Sequence, residues 1–196
     1  TKFLKSRQER RFVMKKFLVL ALLAVALIAT PAMAKEGPYV GIGLTYVNIG
    51  GDSWFDTVEP ATGLELRLGY NFGSIALEGN LIGSTHNDTA TGWSDGDFTA
   101  KSIDLRLSFS QTNDPTQVYF LAGFGAYSFD QAPAGKLEGI GYNLGVGFEH
   151  FFNELVALDV RGVYRFIEYD ELDGVSFSPS LDGDTITLGV GLNLHF

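Results

Sequence analysis

Cysteine is absent from this chain of 196 residues. A disulfide framework and any thiolate metal site are therefore excluded. Charge is scarce, with Asp, Glu, Lys and Arg together only 19% of the residues. A long apolar run is also missing. Residues 17–29 form an apolar stretch of thirteen, short of the about 20 that a spanning helix needs. Glycine, at 24 residues, and aromatic side chains, at 13%, are plentiful instead. This balance suits sheets with closely packed backbones, and the length suits one domain.

The two signs of charge are unevenly placed. Residues 1–34 hold seven Lys/Arg and one acid, Glu9. Taken from the 14 basic and 23 acidic side chains of the whole, this leaves seven and 22 for residues 35–196, a formal net charge of −15. A surface that acidic argues against nucleic acid as a partner, because phosphate binding needs clustered Lys and Arg. The basic end reads as a targeting device. Met14-Lys15-Lys16 opens the apolar run, Thr30-Pro31 breaks it, and Ala32-Met33-Ala34 supplies small-x-small. That layout predicts a signal peptide over 14–34 cleaved after Ala34, with 1–13 an upstream extension outside the fold and 35–196 the mature domain.

From Tyr39 onward, apolar residues recur at every second position, the signature of strands. Val40, Ile42, Leu44 and Tyr46 alternate with Gly41, Gly43 and Thr45. Leu64, Leu66, Leu68 and Tyr70 alternate with Glu65, Arg67 and Gly69. Six further segments follow around Leu77, Leu105, Phe120, Leu144, Val160 and Val190. Eight strands result. Connections near 71–74, 111–116 and 150–154 are short, whereas 51–61, 85–99, 128–137 and 169–183 read as longer polar loops. Short turns on one side and long loops on the other predict an up-and-down antiparallel transmembrane barrel, with turns periplasmic and loops outside.

A soluble lipocalin is also an eight-stranded barrel, but its apolar residues face inward. The membrane is favoured here because the apolar face is nearly free of charge, while the polar face mixes charges of both signs with glycine. Aromatics at segment ends (Tyr39, Tyr46, Tyr70, Phe109, Phe148, Phe151, Phe152, Phe166, Tyr169 and Phe196) read as interfacial girdles.

The interior of such a barrel is just wide enough for side chains to fill. Glu65, Arg67, Glu78, Asp104, Arg106, Glu149, Asp159, Arg161 and Arg165 all fall on the polar face. Turn arithmetic sets Arg67 opposite Glu78, Glu65 opposite Asn80, Asn143 beside Arg161 and Gly145 beside Asp159. Buried charges must pair, since an orphan charge costs several kcal/mol. A salt-bridged plug is favoured over a path for ions or solutes.

Catalytic groupings are sparse. His86 stands beside Ser84, Thr85 and Asp88, where a Ser/His/Asp group facing the outer leaflet would suit an enzyme. Polar loop composition explains the same cluster, and His150 and His195 have no serine nearby. The loop acids Asp170, Glu171, Asp173, Asp182 and Asp184 do not have the spacing of an EF-hand, so no metal or other cofactor is expected. Weak divalent bridging to lipopolysaccharide stays open, as does a small diffusion pore.

Pro38-Tyr39-Val40-Gly41-Ile42-Gly43, Leu66-Arg67-Leu68-Gly69-Tyr70-Asn71-Phe72 and Ala76-Leu77-Glu78-Gly79 resemble the opening strands of the OmpA/OmpX-like outer-membrane β-barrel domain family. Gly145-Val146-Gly147-Phe148-Glu149-His150-Phe151 and Asp159-Val160-Arg161-Gly162-Val163-Tyr164-Arg165-Phe166 resemble its penultimate hairpin. The segment from Leu188 to Phe196 resembles its closing strand. The resemblance implies a monomeric barrel in a Gram-negative outer membrane, in contact with lipid and lipopolysaccharide. It implies Phe196 as the terminal aromatic signal for the barrel-assembly machinery. It does not imply one activity, and an outer-leaflet enzyme that modifies lipid A acyl chains through the His86 region is the alternative it leaves open. A chain ending at Phe196 is expected to lack a periplasmic domain that grips the cell wall.

Overall fold

The computed structural model describes residues 36–89, 95–109 and 114–196. The signal peptide and upstream extension expected over 1–34 lie outside them. Eight strands follow in chain order: β1 (Gly37–Gly51), β2 (Ala61–Asn71), β3 (Ile75–His86), β4 (Gly96–Ser108), β5 (Thr116–Gln131), β6 (Gly135–Phe151), β7 (Val156–Leu172) and β8 (Val175–His195). Each pairs antiparallel with its neighbours, and β1 pairs with β8, so the sheet closes into a barrel without an edge. Closure removes the free sheet edge along the length over which β1 and β8 pair, Tyr39↔His195 to Gly51↔Gly183.

Parity decides which residues face out. Along β1, Val40, Ile42, Leu44 and Tyr46 are exposed while Tyr39, Thr45 and Val47 are buried. The same alternation runs round the barrel. Thirty-two large apolar side chains are exposed among the described residues, including Leu68 at 66% and Ile140 at 69%. Contiguous apolar patches on soluble monomers rarely exceed a few hundred Å². A belt of this extent needs hydrocarbon around it.

Beyond the belt, at the end away from the chain termini, polarity inverts while parity continues. The outward positions become polar: Asn48 on β1, Asp97 and Thr99 on β4, Ser128 and Asp130 on β5, Glu138 on β6, Glu168 and Asp170 on β7. The inward ones become apolar. Val47, Ile49, Ile82, Phe98, Ala100, Tyr127, Phe129, Leu137, Ile167 and Tyr169 form one buried cluster. Phe55, from the short 3₁₀ turn Ser53–Phe55, drops into this cluster and packs against Phe129 and Tyr169 at 5.8 and 5.5 Å between ring centroids. The upper barrel thus has the pattern of a water-soluble one, with its greasy side inside.

This inversion corrects the expected loops. Segments 128–137 and 169–183 are mostly strand, since β5–β6 turns at 132–134 and β7–β8 at Asp173-Gly174. Asp173 (φ 52°) and Gly174 (φ 75°) both have positive φ, as a two-residue hairpin turn that follows strand twist requires. The two tips are tied together. Asp173 N donates to Lys136 O and Lys136 N to Asp173 Oδ1, both at 2.9 Å.

Two registers also differ from expectation. Arg67 pairs with Asn80, Gly69 with Glu78 and Glu65 with Ile82, because β2–β3 closes on a tight turn with Phe72 N bonded to Ile75 O. Gly73 adopts a φ of 99°, and its N–H donates to Asn71 Oδ1. On β6–β7, Asn143 pairs with Arg165, Gly147 with Arg161 and Glu149 with Asp159. Here β6 runs on to Phe151, and Asn153 Oδ1 accepts from the N–H groups of Leu155 and Val156 to cap the turn. Both shifts are even, so no side chain changes face.

Three of the expected girdle aromatics, Tyr39, Phe151 and Tyr169, face inward instead and are wholly buried, while Phe152 in the β6–β7 turn packs on outward-facing His150 with ring centroids 5.4 Å apart. Tyr39 has the parity of Gly41, which puts it on the lumen side.

Candidate functional site: a charged interior beneath an apolar cap

Glu65, Arg67, Glu78, Asp104, Arg106, Glu149, Asp159, Arg161 and Arg165 all lie in the interior, none more than 4% exposed. Glycines on the same face make the room. A Cβ on Gly191 would run into Arg67 Nη2, and one on Gly43 would stand 2.8 Å from the same atom.

Seven of the nine form one ion-paired network that crosses the lumen. Asp159 receives Arg67 Nη1 at 2.5 Å and Arg161 Nε at 2.7 Å. Arg161 also forks onto Glu78 and reaches Glu65 Oε1 at 3.7 Å. Arg106 Nη2 pairs with Glu149 Oε2 at 2.8 Å and its Nη1 with Glu78 Oε2 at 3.5 Å. These contacts join strands that are not neighbours, β4 to β6, β2 to β7 and β3 to β7, and the last of these ties opposite walls. Hydrogen bonds in which both partners are ionised are the strong kind.

Tyr, Asn and His side chains join the network, and sequence reasoning missed several. Tyr39 OH donates to Glu78 Oε2 and Tyr119 OH to Asp159 Oδ2, each at 2.7 Å. The guanidinium of Arg106 lies 4.0 Å from the centre of the Tyr119 ring, a cation–π contact. Asn80 donates to Glu65 at 2.6 Å, and Asn193 and His195 reach Glu149 Oε1 at 2.5 and 3.0 Å. His195 also stacks on Tyr39, with centroids 5.0 Å apart. The available signal was parity, since Tyr39 and Tyr119 alternate in step with inward glycines.

Asp104 and Arg165 stand outside the ion pairs found among the described residues. Asp104 accepts from Ser102 Oγ at 2.8 Å and Asn143 Nδ2 at 2.7 Å. Arg165 donates to Thr187 Oγ1. They mark the level where the charged layer meets the apolar cap, and Tyr127 bridges the two by bonding Asn143 from beneath Phe98.

His86 and Ser84 do meet, with Ser84 Oγ 2.8 Å from His86 Nε2. The pair differs from the expected surface group in two ways. Both side chains point into the barrel mouth, where His86 is wholly buried against Phe98 and Phe129. The other ring nitrogen, Nδ1, faces the backbone carbonyl of Glu59 at 2.9 Å rather than a carboxylate, while Asp88 accepts from Gln131. Burial holds the His86 imidazole below its ordinary pKa. His150 faces outward at the terminal end, 2.7 Å from Thr116 Oγ1. Asp170, Glu171 and Asp173 gather at the β7–β8 tip and Asp182 and Asp184 lie on β8. Among the described residues no three His, Asp or Glu converge in a geometry that could hold a metal ion.

The family description "Outer membrane protein beta-barrel domain" matches residues 17–196. A comparison with curated protein sequences finds no match. Among solved structures, the chain is similar to Neisserial surface protein A, with 16% identity over 82% of this chain and 98% of the other and a TM-score of 0.62. It is similar to the outer membrane protein OprG from Pseudomonas aeruginosa at 17% identity, covering 84% and 98%, with a TM-score of 0.57. It is also similar to Ail, the attachment invasion locus protein of Yersinia pestis, in complex with the heparin analogue sucrose octasulfate. That match has 19% identity, covers 83% and 100%, and has a TM-score of 0.56. At these identities the likeness is one of fold.

Proposed function

The chain belongs to the outer membrane protein beta-barrel domain family, and from that premise we propose that it is a non-enzymatic, non-conducting barrel of the Gram-negative outer membrane. In this reading it reinforces the membrane and presents an acidic outer end to its surroundings. Export would follow cleavage after Ala34, and insertion as a monomer would follow reading of Phe196 by the barrel-assembly machinery. The end opposite the termini would then face outside.

One observation supports the closed-lumen reading: the interior is filled at two levels, by the network around Arg161 and by the apolar cluster around Phe129. Water and ions would have to break buried ion pairs and then cross a dry layer of rings. The non-enzymatic reading is supported by the placement of Ser84 and His86, whose atoms a lipid in the outer leaflet could not touch without opening the cap.

The outer end also bears on partners. The only lysines among the described residues are Lys101 and Lys136, and Lys136 is bound to Glu138. Acids abound there, including Asp97, Asp130, Glu168, Asp170, Asp182 and Asp184. The sulfated ligand in the Ail structure would be repelled by such a surface. A cationic or cation-bridged partner fits its charge.

Planar-bilayer recording tests the closed reading. Purified, heat-modifiable protein is expected to insert without stepwise conductance at 100 mV, a field worth about 2.3 kcal/mol per charge. Reproducible unitary steps would overturn it.

A further inference from the structure

We propose that the lipid-facing surface of β2–β6 holds a specific seat for lipopolysaccharide, with a lipid A phosphate on Lys101 and an acyl chain in the groove beneath it. The proposal rests on the reading that the acidic end lies in the outer leaflet. It goes beyond that reading by naming one site and one occupant.

The groove, of about 610 Å³, runs across five strands and is walled by Leu66, Leu68, Leu81, Ile103, Phe124 and Ile140. Its floor is low because Gly79 and Ala126 stand at outward positions between the larger side chains of Leu77, Leu81 and Phe124 on the same strands. The reason for Gly79 does not lie inside the protein. A Cβ there would meet a single atom, Leu68 O at 3.7 Å, and one on the neighbouring outward Gly83 would meet nothing within 4 Å. Inward glycines such as Gly191 and Gly123 differ, since a Cβ on either collides with buried side chains or backbone. The outward pair therefore leaves space that the chain itself does not use.

Charge complementarity identifies what fills it. Among the described residues Lys101 is the one Lys or Arg on the membrane-facing wall, at the upper rim of the belt. Its cross-strand neighbours are Leu81 and Ala126, and its diagonal ones Gly79, Gly83, Phe124 and Ser128. None is charged. No ion pair among the described residues includes Lys101, whereas Arg67, Arg106, Arg161 and Lys136 all have carboxylate partners. A flexible ammonium on an apolar wall lifts its tip to the headgroup level, where it meets lipid phosphate. Directly below, the groove offers hydrocarbon a place away from the acids of the outer end.

Native mass spectrometry of the detergent-solubilised protein, titrated with lipid A, phosphatidylglycerol or phosphatidylethanolamine, tests this. Wild type is expected to retain one lipid A and to bind phosphatidylglycerol at least about tenfold more weakly. Lys101→Gln and Gly79→Leu are each expected to weaken lipid A binding about tenfold, and Lys101→Arg to restore it. Equal binding by wild type, Lys101→Gln and Gly79→Leu would overturn the seat. Equal binding of phosphatidylglycerol would overturn the choice of lipid A. Because binding in detergent is independent of orientation, it can fail while protease cleavage of the Asp173-Gly174 tip on intact cells still succeeds, and the reverse. A heat-modifiability check on each variant confirms that it remains a barrel.

Discussion

Arg161 and Arg165 stand four residues apart on the inward face of β7, both buried, in different company. Arg161 touches Asp159, Glu78 and Glu65, while Arg165 bonds Thr187 and has no carboxylate of the described residues in ion-pair range. Removing Arg161 leaves three buried carboxylates short of a partner, a loss that costs about 3–5 kcal/mol in buried pairs. Removing Arg165 strips no ion pair and relieves the desolvation of a cation. Arg161→Met is therefore expected to lower stability by about 3 kcal/mol or more, and Arg165→Met by less than half as much. Urea unfolding in lipid vesicles, followed by tryptophan fluorescence, measures both. Equal losses would mean that the network does not hold the interior.

At the scale of the strand, the chain states its parity openly and its ends obscurely. Alternation from Val40 to Tyr46 or from Leu64 to Tyr70 identifies strands and sorts charges inward. It stops being visible where Glu168 and Ile167 exchange roles, because a reading tied to outward-apolar positions sees the pattern end. Asp173-Gly174, a pair typical of two-residue hairpin turns, was the local signal that β7 and β8 continue. Register was less legible. It depended on whether Gly73 and Asn153 made tight turns, and parity survives any even slip. Outward-facing Lys101 was visible as a sequence position, but its isolation needed the β3 and β5 registers.

The same strands carry two kinds of glycine. On β8, Gly191 Cβ would collide with Arg67 Nη2 and lie 2.5 Å from Ile42 O, and backbone cannot give way as a side-chain tip can. On β3, Gly83 meets nothing. Gly191→Ala is expected to destabilise by about 1–3 kcal/mol, as overpacking does. Gly83→Ala should stay within about 0.5 kcal/mol of wild type. The two unfolding midpoints decide it, and equal shifts would contradict an interior filled to capacity.

For the molecule as a whole, the belt, the charged layer and the cap follow from one alternating pattern whose sign reverses once along the barrel axis. Lipid surrounds the part that is apolar outside, and water surrounds the part that is apolar inside. Because the chain has no cysteine, one can be placed at will, and spin labels along β7 from Val156 to Leu172 read this directly through collisions with oxygen and with a nickel chelate. Labels at Leu158, Val160, Gly162 and Tyr164 should be reached by oxygen, and those at Glu168 and Asp170 by nickel. Labels at Asp159, Arg161, Val163, Arg165, Ile167 and Tyr169 should be shielded from both. Nickel reaching the inward series throughout would reveal an open channel, and nickel reaching Leu158 to Tyr164 would place the belt in water; either contradicts the account.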